Sequence, residues 1–129
     1  MASSVQAGKR ECMTQTPPPI LTVTEELLGW TLDRTASFPK SQRFTFGQRM
    51  DALMLESLES CITARYDARV RAVQLRSLNM TLEKLRVFWR IVHARGWISV
   101  QQLLFAARKL DEIGRMAGAW LKTAEIKHP

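Results

Sequence analysis

The chain has 129 residues, a formal net charge of +7 and a sequence pI of about 10.1. This length suits one domain with a sizeable core and is too short for most two-domain enzymes. Hydrophobic residues make up 46% of the chain and charged residues 24%, which excludes disorder throughout. The positive charge predicts an acidic partner, with nucleic acid first and an anionic membrane surface second.

The basic excess lies in the second half of the chain. Residues 1–64 hold six Lys and Arg against seven Asp and Glu, a net charge of −1. Residues 65–129 hold thirteen against five, a net charge of +8. A charge that serves only solubility can be spread evenly, so this one-sided distribution is more typical of a binding face.

The cysteines and the N-terminal region indicate a cytoplasmic protein. Cys12 and Cys61 form no CxxC or other metal-ligand spacing, so neither a metal nor another cofactor is expected. Two such cysteines fit a reducing compartment, with Cys61 as a small core residue. The N-terminus has no apolar run of signal-peptide type, and no 18 consecutive residues are apolar. We therefore expect neither secretion nor a membrane-spanning segment.

Residues 1–22 are predicted to form a flexible leader. This region is rich in Ser, Gln, Thr and Gly and contains Pro17-Pro18-Pro19, which neither continue a helix nor pair in a central strand. Helix 1 is predicted to begin at Thr24, whose hydroxyl suits an N-cap. The carboxylates of Glu25 and Glu26 then lie at the positive end of the helix dipole.

The first two helices are separated by a proline. Helix 1 is predicted to end near Ser37, because the residue before Pro39 leaves the α region. Helix 2 is predicted from Ser41–Phe44 to Tyr66, where apolar residues recur at steps of three and four. A short charged link follows at Asp67–Arg69.

Helix 3 is predicted over Val70–Arg95 and has the clearest periodicity in the chain. Its apolar residues form the narrow seam of a packed bundle helix, and Gly96 is the expected C-terminal stop. The seam consists of Leu75, Leu78, Leu82, Leu85, Trp89 and Val92.

Helix 4 is predicted from Ser99 to about Glu125. Ser99 and Gln102 have the spacing of a capping box. Gly114-x-x-x-Gly118 predicts close approach of a neighbouring backbone, because two helical glycines each cost about 1 kcal/mol against alanine unless packing compensates.

These elements predict an all-α fold, an antiparallel up-down four-helix bundle. No convincing strand pattern occurs, and the links between the helices are short. The predicted domain covers residues 23–126, between the leader at 1–22 and a tail at 127–129.

An arginine stripe on helix 3 is the main functional signal from the residues alone. On a helical wheel, Arg69, Arg76, Arg86 and Arg90 lie together beside the apolar seam, interrupted only by Glu83. Thirteen of the nineteen basic residues are Arg, whose guanidinium makes forked contacts to phosphate. Such a stripe predicts phosphate binding driven by counterion release.

The alternative is a solvated face whose arginines pair with carboxylates of a neighbouring helix or subunit. Residues 65–95 carry eight basic residues against two acidic ones, which predicts that most of these arginines lack a nearby carboxylate. The two interpretations are evenly balanced on the sequence.

Catalytic motifs are scarce. No H-E-x-x-H, Walker A, G-x-S-x-G or paired-aspartate polymerase motif occurs. Arg86 and His93 match the loose R-x4–6-H spacing of HEPN ribonucleases, in which the histidine would serve in acid–base work on a ribose 2′-hydroxyl. The simpler interpretation is that His93 ends helix 3, where imidazole favours the dipole. Tryptophans on the helices are expected in the core, whereas Trp97 follows Gly96 in a loop and could pack on a partner.

Several segments of the chain match motifs of one known family. The most specific are F-P-K-S-Q-R-F at 38–44 and D-E-I-G-R-M-x-G-x-W at 111–120. Further matches lie at Trp30–Arg34, Ala64–Tyr66, Leu82–Arg86 and Arg90. Over about residues 24–122, the chain resembles the accessory variability determinant (Avd) family of bacterial and phage diversity-generating retroelements. Related four-helix proteins encoded within ribosomal RNA intervening sequences share the Phe-Pro-Lys-Ser signal more weakly.

The resemblance implies an accessory role without catalysis. Avd proteins are four-helix bundles that assemble as barrel-shaped homopentamers and associate with the retroelement's reverse transcriptase and template-repeat RNA. The complex makes adenine-mutagenised cDNA that diversifies a target gene by retrohoming. The implied partners are therefore the transcriptase, template RNA or cDNA, and further copies of the chain, with no membrane. The expected nucleic-acid or partner-binding residues are Lys40, Arg43, Arg65, Arg69, Arg76, Arg86, Arg90 and Arg115. The alternatives are a metal-independent HEPN-type ribonuclease and a bundle that binds only protein.

Overall fold

The computed structural model describes residues 19–127, and this part of the chain is helical with no strand. Four long helices pack in chain order, each against the next, and the first also contacts the last. They are α1 (Pro19–Thr35), α2 (Gln48–Tyr66), α3 (Arg71–Ala94) and α4 (Val100–Lys127). The predicted four-helix architecture is confirmed.

The core contains apolar side chains from all four helices. The six residues of the predicted α3 seam are buried to within 1% exposure, which confirms the helical register read from their spacing. Leu27 of α1, Met50 and Leu53 of α2 and Leu110 of α4 are also completely buried. Cys61 is fully buried as well, in agreement with the prediction of a small core residue.

The predicted start of helix 1 is wrong. Thr24 lies inside α1 and is buried, and its hydroxyl donates a 2.7 Å hydrogen bond to the carbonyl of Ile20. Residues 19–22, assigned to the leader, are part of α1 because burial of Ile20, Leu21 and Val23 favours extending the helix. Lys127, the first residue of the predicted tail at 127–129, is the last residue of α4. Residues 1–18 and 128–129 lie outside the described residues.

The chain enters α2 through an irregular helical segment. After Pro39, one α turn at Lys40–Gln42 leads into a π-helical stretch at Arg43–Gly47. Phe38 is 1% exposed, and a Cβ added to Gly47 would lie 3.4 Å from its ring. The predicted helix spans the right residues, but its first part does not have regular α geometry.

Two other connections agree with their sequence signals. Gly96 has a φ of +81°, as the predicted stop after α3 requires. The capping box before α4 is formed in both directions: the Gln102 backbone N–H donates to Ser99 Oγ at 3.1 Å, and the Ser99 N–H donates to Gln102 Oε1 at 2.9 Å.

The two helical glycines of α4 differ in how closely other atoms pack around them. A Cβ on Gly114 would lie 3.2 Å from Arg86 Nη2, so this position is tightly packed as predicted. A Cβ on Gly118 would meet nothing within 4 Å, so the predicted close approach is not found there within residues 19–127.

Candidate nucleic-acid interface

Three of the four arginines in the predicted stripe are paired with carboxylates. Arg76 Nη2 lies 2.7 Å from Glu125 of α4, and Arg69 Nε lies 3.2 Å from Asp67. Arg86 bonds to two carboxylates and is described below. The expectation that most of these arginines lack a nearby carboxylate is therefore wrong for the stripe. Both acidic residues of 65–95, Asp67 and Glu83, pair with stripe arginines, and α4 supplies Asp111 and Glu125, which a count over that range omits.

Arg86 is the most constrained member of the stripe. Its Nη1 lies 2.8 Å from Glu83 Oε2, its Nε lies 3.3 Å from Asp111 Oδ1, and its Nη2 donates to the Leu110 carbonyl at 3.4 Å. Only 26% of its side chain is exposed. Arg86 thus ties α3 to α4, and its guanidinium is largely occupied within the fold.

Arg69 shows the same pairing at the surface. Its side chain is 88% exposed and reaches back to Asp67, which also accepts the backbone N–H of Arg69 at 3.1 Å. The side-chain hydrogen bond from Arg69 lowers the pKa of the Asp67 carboxyl, with smaller effects from the backbone bond and nearby charge. Asp67 also caps the short 3-10 turn Ala68–Val70 between α2 and α3.

Arg90, the fourth member, has no carboxylate within the 4 Å ion-pair limit among residues 19–127. It is exposed on α3 above Leu103 and Leu104 of α4. Arg90 therefore keeps its full charge and hydrogen-bonding capacity for a partner.

The other predicted site residues are distributed along the bundle. Lys40 and Arg115 are exposed, and neither forms an ion pair with a described carboxylate. Arg43 is also exposed, and its Nε donates to the Phe38 carbonyl at 3.2 Å. The Arg65 guanidinium lies 5.2 Å from the centre of the Tyr66 ring.

The structure does not bring the eight predicted residues together. We call the end of the bundle where the connections 36–47 and 95–99 meet the aromatic end, and the end holding the α2–α3 link the opposite end. Lys40, Arg43 and Arg90 lie at or next to the aromatic end. Arg65, Arg69 and Arg76 lie at the opposite end, and Arg86 and Arg115 lie between the two ends.

Four aromatic rings join the two connections at the aromatic end. Phe38 lies 5.3 Å from Trp97 between ring centres, and Phe46 lies 6.0 Å from Trp97 and 5.1 Å from Phe88. Trp97, which the sequence left open as a partner contact, is half-buried and packs within the fold. These contacts fix the connections relative to each other and to α3.

Arg71, one of the eight basic residues in 65–95, has a structural role. Its Nε donates to the Ala64 carbonyl and its Nη2 donates to the Arg65 carbonyl at 3.0 Å, which satisfies the C-terminal end of α2. Its guanidinium also lies 5.6 Å from the centre of the Trp120 ring. An arginine soon after a predicted helix end was the available signal.

An exposed apolar stripe on α3 was missed. Val73, Met80, Val87 and Ile91 are each 40–60% exposed and follow one another at steps of seven, seven and four. These steps place them on one helical face, opposite the buried seam. Leu55, Ile62 and Tyr66 make a similar outward set on α2, at steps of seven and four. Heptad spacing on a second face was the signal in the sequence.

The structure offers neither a metal centre nor a membrane span within its described range. Residues 19–127 contain no group of three or more His, Cys, Asp or Glu side chains placed to hold a metal ion. No helix in that range combines the length and apolarity needed to cross a bilayer.

Comparison with known proteins identifies one family. A family model described as bAvd-like matches residues 20–124, which is most of the chain and nearly all of the described bundle. No curated protein and no solved structure matches the chain. The matched range includes α1, the irregular entry to α2 and almost all of α4. The chain therefore belongs to the bAvd-like family.

Proposed function

We propose that this protein is the accessory subunit of a diversity-generating retroelement, binding its reverse transcriptase and template RNA to support mutagenic cDNA synthesis and retrohoming. The observation that carries the proposal is the family match over residues 20–124. The net charge of +7 supports an acidic partner, and the exposed Lys40, Arg90 and Arg115 supply charge that no described carboxylate neutralises. Such a role belongs in the cytoplasm.

Copurification tests this role. The protein is coexpressed with the reverse transcriptase and template-repeat RNA of the same retroelement, and the complex is isolated through the transcriptase. We expect both the protein and the RNA in the complex, and template-primed cDNA only when all three are present. Recovery of the transcriptase without this protein, together with full cDNA synthesis in its absence, would contradict the proposal.

Salt dependence tests direct RNA binding without the transcriptase. Each phosphate neutralised by Lys or Arg releases counterions, so affinity falls steeply between about 50 and 200 mM salt. A flat response would favour the alternative of a bundle that binds only protein.

We propose further that the protein works as a homopentamer. The outward apolar stripes on α2 and α3 support assembly, since exposed apolar side chains repeated along one helical face are typical of surfaces that pack against another helix. Analytical ultracentrifugation at micromolar concentration measures the mass directly. A monomer under those conditions would exclude the assembly.

We propose that the role is not catalytic. Arg86, one half of the HEPN-like pair, is bonded to Glu83 and Asp111 and only 26% of its side chain is exposed, so its guanidinium is already occupied within the fold. An RNA-cleavage assay with His93→Ala separates the two functions. Cleavage by the parent protein that disappears in this variant would establish the ribonuclease instead.

A further inference from the structure

The acidic residues are absent from two segments of the chain. Residues 34–50 and 84–110 contain ten Lys and Arg, and neither Asp nor Glu. The rest of the described chain, residues 19–33, 51–83 and 111–127, holds seven Lys and Arg against eleven Asp and Glu. The net charge of the protein therefore comes from these two segments.

The two segments meet at the aromatic end. Residues 34–50 run from the end of α1 through the π-helical stretch into α2, and residues 84–110 run from the last part of α3 into α4. The ring contacts of Phe38 and Phe46 with Phe88 and Trp97 join them directly. Folding thus gathers positive charge that is dispersed in the sequence onto one end of the bundle.

Ion pairs neutralise only three of these ten cations. Arg49 pairs with Glu56, Arg86 with Glu83 and Asp111, and Lys109 with Glu26 and Glu112. At the aromatic end, four exposed cations form no ion pair to a described carboxylate. These are Lys40, Arg43, Arg90 and Arg95.

One aromatic ring at this end is exposed. Phe44 lies in the π-helical stretch and is 77% exposed, whereas Phe38 is buried and Phe46 is packed against Phe88. It follows Arg43, whose Nε is anchored on the Phe38 carbonyl, so ring and guanidinium project from a fixed segment. Exposing a phenyl ring to water is unfavourable, and nothing in residues 19–127 covers it.

We propose that the aromatic end is a binding site for single-stranded nucleic acid, in which Phe44 stacks on a base and Lys40, Arg43, Arg90 and Arg95 contact the flanking phosphates. An exposed aromatic ring next to cations that form no ion pair is the arrangement that binds unpaired strands. A duplex keeps its bases stacked on each other and offers Phe44 no face. The site rests on the proposed RNA-binding function and assigns it a place and a strand preference.

Fluorescence anisotropy of the full chain tests the site with a labelled RNA oligonucleotide, offered either single-stranded or annealed to its complement. The variant is Phe44→Ala. The control is Ile126→Ala, because Ile126 is 78% exposed at the opposite end and lies outside the outward stripes of α2 and α3. Both side chains are largely exposed, so circular dichroism should show folded proteins.

We expect Phe44→Ala to weaken single-strand binding roughly 5- to 150-fold, the usual loss for one base stacked on an aromatic ring. Duplex binding should change little, and Ile126→Ala should bind both forms like the parent. Arg90→Ala should also reduce the slope of log affinity against log salt by about 0.7 for the single strand. Arg76→Ala, which removes an arginine paired with Glu125, should leave that slope unchanged.

The outcomes separate this site from the broader function. If the parent protein binds RNA with a steep salt dependence but Phe44→Ala and Ile126→Ala change that binding equally, the site would be overturned and the RNA-binding role would stay intact. Equal losses on single strands and duplex from Phe44→Ala would overturn the strand preference. Parent protein that binds neither form would remove both proposals.

Discussion

Individual arginines in this protein have different structural roles, which can be identified from the groups that each one contacts. Arg71 completes the end of α2 through carbonyl oxygens, Arg86 joins α3 to α4 through carboxylates, and Arg90 has neither type of partner among residues 19–127. Because a guanidinium carries five donors in a rigid fork, all three uses suit the same side chain. The sequence alone does not separate them, since the partners come from other helices.

Replacing Arg71 should destabilise the fold. Arg71→Ala leaves the Ala64 and Arg65 carbonyls without their donor and removes the contact with Trp120, so we expect a loss of about 1–3 kcal/mol in the free energy of unfolding. Urea denaturation followed by circular dichroism measures it. Arg115→Ala is the control, because Arg115 is exposed and has no ion pair to a described carboxylate. Equal stability of the two variants would contradict the capping role.

Cys61 should be unreactive in the folded protein. Burial raises the pKa of its thiol, partly opposed by the hydroxyl of Thr24 at 3.8 Å from the sulfur. In a Cys12→Ser background, a thiol reagent at about pH 8 should modify Cys61 only after denaturant is added. Rapid modification of the folded protein would contradict the burial.

The Cys61 thiol also makes the free energy of unfolding depend on pH in the alkaline range. The unfolded chain gives up the thiol proton at a lower pH than the folded one, so this contribution is complete below the unfolded pKa. It should fall as the pH rises from there toward the folded pKa. Cys61→Ser, measured over the same pH range, should lack this part of the decline.

At the scale of the helix, the two glycines of α4 make a matched pair. Gly118→Ala should raise the free energy of unfolding by up to about 1 kcal/mol, because alanine favours the helix and its Cβ meets no described atom within 4 Å. Gly114→Ala should gain less, because its Cβ would press on Arg86 Nη2. Thermal melts compare the two variants. A larger gain at Gly114 would show that Arg86 moves aside without cost.

The helices differ in how far local sequence determined them. The α3 seam was predictable because one face is apolar without interruption, and Gly96 and the Ser99 capping box have strong local signals. The start of α1 was not, since burial of Ile20 and Val23 outweighs the capping preference of Thr24. The π-helical stretch depends on Phe38 and Phe46 packing against Trp97, a contact between segments distant in the chain.

The candidate site followed the same division. The high charge was visible in the sequence, and the helical wheel placed Arg76, Arg86 and Arg90 in one stripe, but the pairing of Arg76 and Arg86 depends on acidic residues of α4. Lys40 and Arg90 lie fifty residues apart, and only the fold places both toward one end.

At the scale of the whole molecule, the outward stripe on α3 should control assembly. Val87→Glu puts a charge into its middle, and desolvating an unpaired carboxylate in an interface is costly. We expect the sedimenting mass to fall to that of the monomer while the helical circular dichroism is kept. Val100→Glu, which alters a similarly exposed residue of α4, is the control and should keep the mass of the parent. An unchanged mass for Val87→Glu would place the subunit contacts elsewhere.

The concentration of positive charge at the aromatic end gives each bundle an electric dipole along its long axis. The electric field of a nearby polyanion exerts a torque on this dipole. The torque turns the aromatic end toward the polyanion before any contact forms, which raises the fraction of productive collisions. The effect is kinetic and is screened over about 10 Å at moderate ionic strength. In a ring whose subunits are related by rotation, the axial components of these dipoles add, so one face of the ring would meet the strand first.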